Sequence, residues 1–359
     1  MKSLKSRLPS SELQTAVGAT SFPRSEAGGL SVRHFIMTVG PCLLFFVAVM
    51  ALAPWIGSSG ISLRGVWSGV GTDRDIFLIA RLPRVLFGAT AGGALAVAGV
   101  LFQALLRNSL ATPFTLGISS GSSFGAVVAI ALGWDVVVLG FPLTSVCAFA
   151  GAFLTILLVF VVARSGGALP TLTLLLAGVT LNFVFAALIM FFYYASTFAQ
   201  SYMITRWMMG SLDVVDYSTL GPTAVLVAVA FGVVLWLSPQ LNLLAAGEEW
   251  ATARGIEVQR LKRICYFAGS ALTGAVTALS GPIGFVGLIV PHSLRLLVGT
   301  DHRILVPGSF FLGAAFLVLC DTAARTLLAP TEIPVGAITA LLGGPFFIFL
   351  LKTRQGELW

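Results

Sequence analysis

The chain has 359 residues, 57% of them hydrophobic and only 10% charged, with a mean hydropathy of +0.97. A soluble domain carries about 25% charged residues, so too few charges remain here to cover a water-facing surface, and a soluble enzyme is excluded. The net charge of +7 does not point to nucleic acid, because the basic residues are scattered among loops between apolar runs, where they report topology.

Residues 1–33 are rich in Ser, Gly and Pro and carry Lys2, Lys5, Arg7, Arg24 and Arg33. They read as a disordered cytoplasmic tail. Apolar runs then recur near 35–53, 82–106, 114–132, 137–162, 172–195, 220–237, 264–280, 284–298, 305–326 and 335–351. A helix needs roughly 20 apolar residues to cross a bilayer. β-barrel strands read as short alternating segments, which these are not. The expectation is an all-α polytopic integral membrane protein of about ten transmembrane helices. Ala51-Leu52-Ala53 looks like a signal-peptidase site, but the run before it is spanning-sized and is expected to be retained. Residues 34–352 are expected to form the transmembrane domain, and 353–359 a short C-terminal cytoplasmic tail.

An even number of spans puts both termini on one side. With the N-terminus inside, the inner segments hold fifteen Lys and Arg and the outer ones six, so both termini are expected in the cytoplasm. The longest inner loop, 238–263, has Gly247 and Gly255 as breaks between short helices and is the largest surface for a cytoplasmic partner. The spacings Gly88-x-x-x-Gly92, Gly117-x-x-x-Gly121 and Gly121-x-x-x-Gly125 suit close helix packing. Cys42, Cys147, Cys265 and Cys320 all lie in apolar runs without a C-x-x-C pair and read as packing residues. His34, His292 and His302 sit at membrane edges, and no metal site is expected.

The chain has no G-x-x-x-x-G-K-[ST] phosphate loop, so ATP, if it drives the protein, must be hydrolysed on another subunit. Intramembrane acids are nearly absent, which speaks against an ion-coupled carrier. Asp321 is the main candidate, and Arg325 lies on the same helix face four residues on. They read as a structural pair, with a proton relay as the alternative. Arg81-Leu82-Pro83-Arg84 opens the second span on the outer side, with proline suited to the first helical turn. Its arginines read either as interfacial anchors or as a cationic knob for a carboxylate-bearing partner.

Ordered motifs then run through the chain. They include Arg81-Leu82-Pro83-Arg84, the stretch Gly99 to Pro113, and Leu116-Gly117-Ile118-Ser119-Ser120-Gly121. Further on come Trp207-Met208-Met209-Gly210 and Gly281-Pro282-Ile283-Gly284-Phe285 through Pro291-His292. On these residues, across about 35–352, the chain resembles the permease subunits of iron-chelate and cobalamin ABC importers (FecCD-type, type II importer fold).

The resemblance implies a homodimer with the pathway on its axis, two cytoplasmic ATPase subunits below and a periplasmic or lipid-anchored substrate-binding protein outside, in the bacterial inner membrane. ATP and Mg would belong to the ATPase subunits, and this chain would hold no cofactor and catalyse nothing. The cargo expected first is an iron–siderophore, then haem or cobalamin. Docking of the binding protein maps to Arg81, Arg84 and Arg325, with Asp321 orienting Arg325. The cytoplasmic gate maps to Asn108, Leu110 and Thr171, with Asn108-Ser109-Leu110-Ala111 standing where the family usually has Asn-Pro-Leu-Ala. ATPase coupling maps to Gly247, Glu248, Ala253, Arg254 and Gly255. The alternatives are an ion-coupled secondary transporter and a non-transporting membrane scaffold.

Overall fold

The computed structural model describes residues 31–57, 59–68, 71–164, 168–213 and 216–353. The expected N-terminal tail, apart from its last residues, and nearly all of the C-terminal tail lie outside the described residues. The chain divides into Met1–Met37 and Thr38–Trp359. Only the start of the first helix represents the former among the described residues, and all that follows concerns the latter.

Thirteen α-helices of six residues or more are described, in chain order α1 Val32–Leu52, α2 Leu63–Ser68, α3 Leu82–Leu106, α4 Ile118–Ala131, α5 Leu143–Ala163, α6 Thr171–Ala195, α7 Phe198–Met208, α8 Tyr217–Ala246, α9 Glu248–Ala253, α10 Val258–Ser280, α11 Val286–Val298, α12 His302–Thr326 and α13 Val335–Thr353. The ten expected runs correspond to α1, α3–α6, α8 and α10–α13. Six helical segments are long and apolar enough to cross a membrane by length and composition, and α4, α11 and Val335–Phe349 of α13 are shorter apolar helices. The fold is an all-α polytopic membrane bundle.

α3 is its axis and is buried along nearly its whole length. Glycines make that possible. A methyl group on Gly92 would collide with the Gly313 carbonyl of α12, and one on Gly99 with the Gly287 carbonyl of α11. Backbones at these crossings touch directly, as the small-residue spacing anticipated. Gly121 and Gly125 of α4 meet Gly151 and Cys147 of α5 in the same way. All four cysteines are free, and Cys265 and Cys320 are buried.

The structure differs from the sequence expectation at four places. First, the helix expected to open at residue 82 is already helical from Asp73, through a wide π-type turn at Ile76–Arg81. Second, the third run is split by a 3₁₀ turn at Pro113–Leu116 and a left-handed Gly117, and a two-residue hairpin, Val137–Val138 with Phe141–Pro142, precedes α5. Third, α7 falls in no apolar run. Its signal is the capping box of Thr197 and Gln200, in which each side chain bonds the other's backbone N–H.

Fourth, α8 continues through Pro239 to Ala246. Proline removes one ladder hydrogen bond without ending this helix, while Ser238 Oγ donates to the Val234 carbonyl at 3.0 Å. The 238–263 loop therefore shrinks to Gly247–Glu257 around α9. Its two joints are Gly247 at φ 141° and Gly255 at φ 81°, conformations that favour glycine.

Candidate functional site

Charged side chains collect at the two ends of the bundle. Among the described residues, Asp321 is the only acid within the apolar helices α1, α3–α6, α8 and α10–α13. The segments expected outside meet at one end, and those expected inside meet at the other.

At the first end Arg84 is the hub. Its Nε and Nη2 donate to Asp321 at 2.9–3.1 Å, Nη1 donates to Glu332 Oε2 at 2.8 Å, and Nη2 lies 3.0 Å from Asp213 Oδ1. Asp213 also accepts from Arg206 at 3.2 Å. Asp321 is almost fully buried, and its second face meets Arg325 Nε at 3.0 Å, the i,i+4 pair, without the alignment of a hydrogen bond. Three arginines, 84, 206 and 325, thus face three carboxylates, 213, 321 and 332. A buried carboxylate between two guanidiniums is balanced only while both remain.

Arg81 does not join the acids. It is 5% exposed and donates to the carbonyls of Pro54, Trp55 and Ser59 and to Ser59 Oγ. Arg325 Nη1 adds a bond to the Ile56 carbonyl at 3.4 Å. The pair therefore holds Pro54–Ile56 and Ser59 at that end of the bundle. The early helix start at Asp73 explains this placement, because Arg81 and Arg84 lie well inside a helix rather than at its mouth. Glu332, Asp213 and Arg206 were not singled out from the sequence. Asp321 lies 237 positions from Arg84 and Glu332 lies 248, and no local pattern links such positions.

At the opposite end, α3 stops at a left-handed Arg107 (φ 50°). Asn108 then holds the turn itself, its Oδ1 accepting the Leu110 N–H at 2.9 Å. An Asx-type turn needs no proline, so Ser109 is compatible with a fixed geometry. Leu110 is exposed, and Thr171 is the first residue of α6. On α9, Ala251 is buried while Trp250 is 67% exposed, and Ala253 and Arg254 are exposed beside it.

Glu248 Oε1 accepts from Lys262 Nζ at 2.6 Å. Asn242 at the end of α8 donates to Asp301, which caps α12 and also binds Arg303. Burial raises the Asp301 pKa, but the hydrogen bonds from Arg303 and Asn242 outweigh it and bring the carboxyl to about 2. Gln103 of α3 accepts from Arg295 of α11 at 3.0 Å.

An apolar helical bundle with ion-paired ends defines a polytopic membrane protein. The profile of the FecCD transport family matches residues 43–353, and the chain belongs to that family of ABC importer permeases, with the type II importer fold. It is 43% identical to the cobalamin import system permease protein BtuC of Halobacterium salinarum, over 77% of this chain and 73% of that one. To the hemin transport system permease protein HmuU of Yersinia pestis it is 39% identical, over 88% of this chain and 95% of that one. Among solved structures it matches an inward-facing transporter described as of metal-chelate ABC type, at 32% identity and a TM-score of 0.78, covering 88% of this chain and 98% of the other.

Proposed function

We propose that this chain carries a bulky metal chelate into the cytoplasm as one of two identical subunits of an inner-membrane importer. ATPase subunits drive it at the Lys262 end, and a substrate-binding protein feeds it at the Arg84 end. One observation supports this most strongly: charge is segregated to two opposite ends of an apolar bundle, with no acid in between, among the described residues, to carry a coupling ion.

The cobalamin and hemin names of the relatives favour a tetrapyrrole-type chelate, haem or cobalamin, ahead of an iron–siderophore. In all three the chelator screens the metal, so the pathway needs no charged ligands. From Thr171 onward α6 exposes Leu172, Leu176, Phe183, Met190 and Tyr194 at helical spacing. This face suits the dimer axis, with Asn108, Leu110 and Thr171 as its cytoplasmic gate.

Docking at Arg81, Arg84 and Arg325 proceeds through the ion-pair network at that end. Their guanidiniums already hold internal partners, so carboxylates of the binding protein compete with Glu332 and Asp213 for Arg84, while Arg81 and Arg325 hold Pro54–Ile56 and Ser59. Gly247, Glu248, Ala253, Arg254 and Gly255 present α9 to the ATPase.

The test is uptake of haem, cobalamin and an iron–siderophore into proteoliposomes holding permease, ATPase and binding protein. Uptake of one of them that needs both ATP and the binding protein supports the proposal. Uptake that proceeds without the binding protein contradicts the docking role.

A further inference from the structure

Helix α10 carries a second feature at the cytoplasmic-type end. Gln259 and Lys262 are three residues apart and share one face. Both reach the same residue of another segment. Gln259 Oε1 accepts the Leu169 N–H at 2.9 Å, and Lys262 Nζ donates to the Leu169 carbonyl at 3.4 Å. Leu169 is thereby held by both of its backbone polar groups, and its side chain is 1% exposed. Pro170 follows, restricting Leu169 to extended backbone, and Thr171 begins α6. Only one rigid residue therefore separates the held position from the proposed gate.

The other partner of Lys262 is Glu248, the first residue of α9, at 2.6 Å. Lys262 is 2% exposed, so its ammonium has no access to bulk water and depends on Glu248 for charge balance. If α9 moves away alone, a buried cation is left on a single carbonyl. If Lys262 follows Glu248, its bond to Leu169 is strained or carried along. Gly247 and Gly255 place a glycine joint on either side of α9, while its buried Ala251 shares one core with Leu169 and α10, so a displacement of α9 is felt there.

We propose that Lys262 is the positioning residue that passes displacement of α9 to the start of α6, with Gln259 as the second point of its hold on Leu169. The inference rests on the proposed contact between α9 and the ATPase. It concerns a side chain that touches neither ATP nor cargo.

The experiment uses the full permease–ATPase complex in proteoliposomes, with the four native cysteines replaced. Leu172→Cys, at an exposed position next to Thr171, reports the gate through its rate of labelling by a membrane-impermeant maleimide, with and without ATP plus vanadate. The parent should show a nucleotide-dependent change of about fivefold or more. Lys262→Met should reduce that change to within about twofold of none while ATP hydrolysis and complex yield persist, and Lys262→Arg should restore it. A Lys262→Met complex that keeps the full change overturns the proposal. So does one in which labelling response, ATP hydrolysis and yield fall in parallel, because that is loss of folding. A Trp250→Cys cross-link to the ATPase separates the two layers. If it is absent, the ATPase contact of α9 fails and the relay with it. If it forms while Lys262→Met responds normally, the relay alone is wrong.

Discussion

The two ends of the bundle are built on opposite plans. At the Arg84 end, residues from four distant segments are locked by one buried carboxylate and a charge-balanced network. At the Lys262 end, an ion pair joins α9 to α10, and the turns bend at positive-φ residues, namely Arg107, Gly247 and Gly255. A surface meant to receive a partner in one register gains from being fixed in advance. A surface meant to transmit movement needs joints that turn between packed elements.

Removing the centre of the fixed end should have the largest effect. Asp321→Ala leaves Arg84 and Arg325 buried without their shared carboxylate, and breaking such a pair costs about 3–5 kcal/mol. The expected readout is a marked fall in the thermal unfolding temperature of detergent-solubilised protein. A change comparable to that of an exposed substitution would mean the network is not the anchor of that end.

Arg84→Ala should nearly abolish affinity for the binding protein, measured by surface-immobilised binding, because it removes the one cation shared by three carboxylates. A Kd unchanged from the parent would move docking elsewhere.

At the jointed end Asp301→Ala should cost about 1 kcal/mol, the usual worth of a helix N-cap. The pH dependence has a defined sign. With a carboxyl near 2 against an ordinary 3.8, Asp301 contributes stability that is full above about pH 4 and is lost as pH falls toward 2. Acid unfolding of the variant should therefore be less steep than the parent's in that window. The smallest stability effect belongs to Glu332→Gln, whose side chain is 39% exposed, at under about 1 kcal/mol. The same substitution should tighten docking, because it removes a carboxylate competing for Arg84.

These differences also explain what could be read in advance. Apolar runs located ten of the described helices, because bilayer thickness acts on composition alone. The Gly247 and Gly255 breaks were legible because glycine marks such joints. The helical lead-in to α3 was not, because Asp73, Arg74, Asp75 and Arg81 bracket only five apolar residues there. The partners of Arg84 were equally hidden. Asp213 and Glu332 are ordinary loop acids until the fold brings them to it. α7 shows an intermediate case, since its Thr197–Gln200 capping box was present in a stretch without an apolar face.

The most direct test places each partner on a chosen side. Proteoliposomes oriented with the Arg84 end inward receive binding protein and chelate in the lumen and ATPase with ATP outside, and chelate appearing outside is followed with and without a protonophore. The expected result is export from the lumen that needs ATP and binding protein together and ignores the protonophore. Transport that persists without ATPase and collapses with the protonophore would contradict an ATP-driven permease.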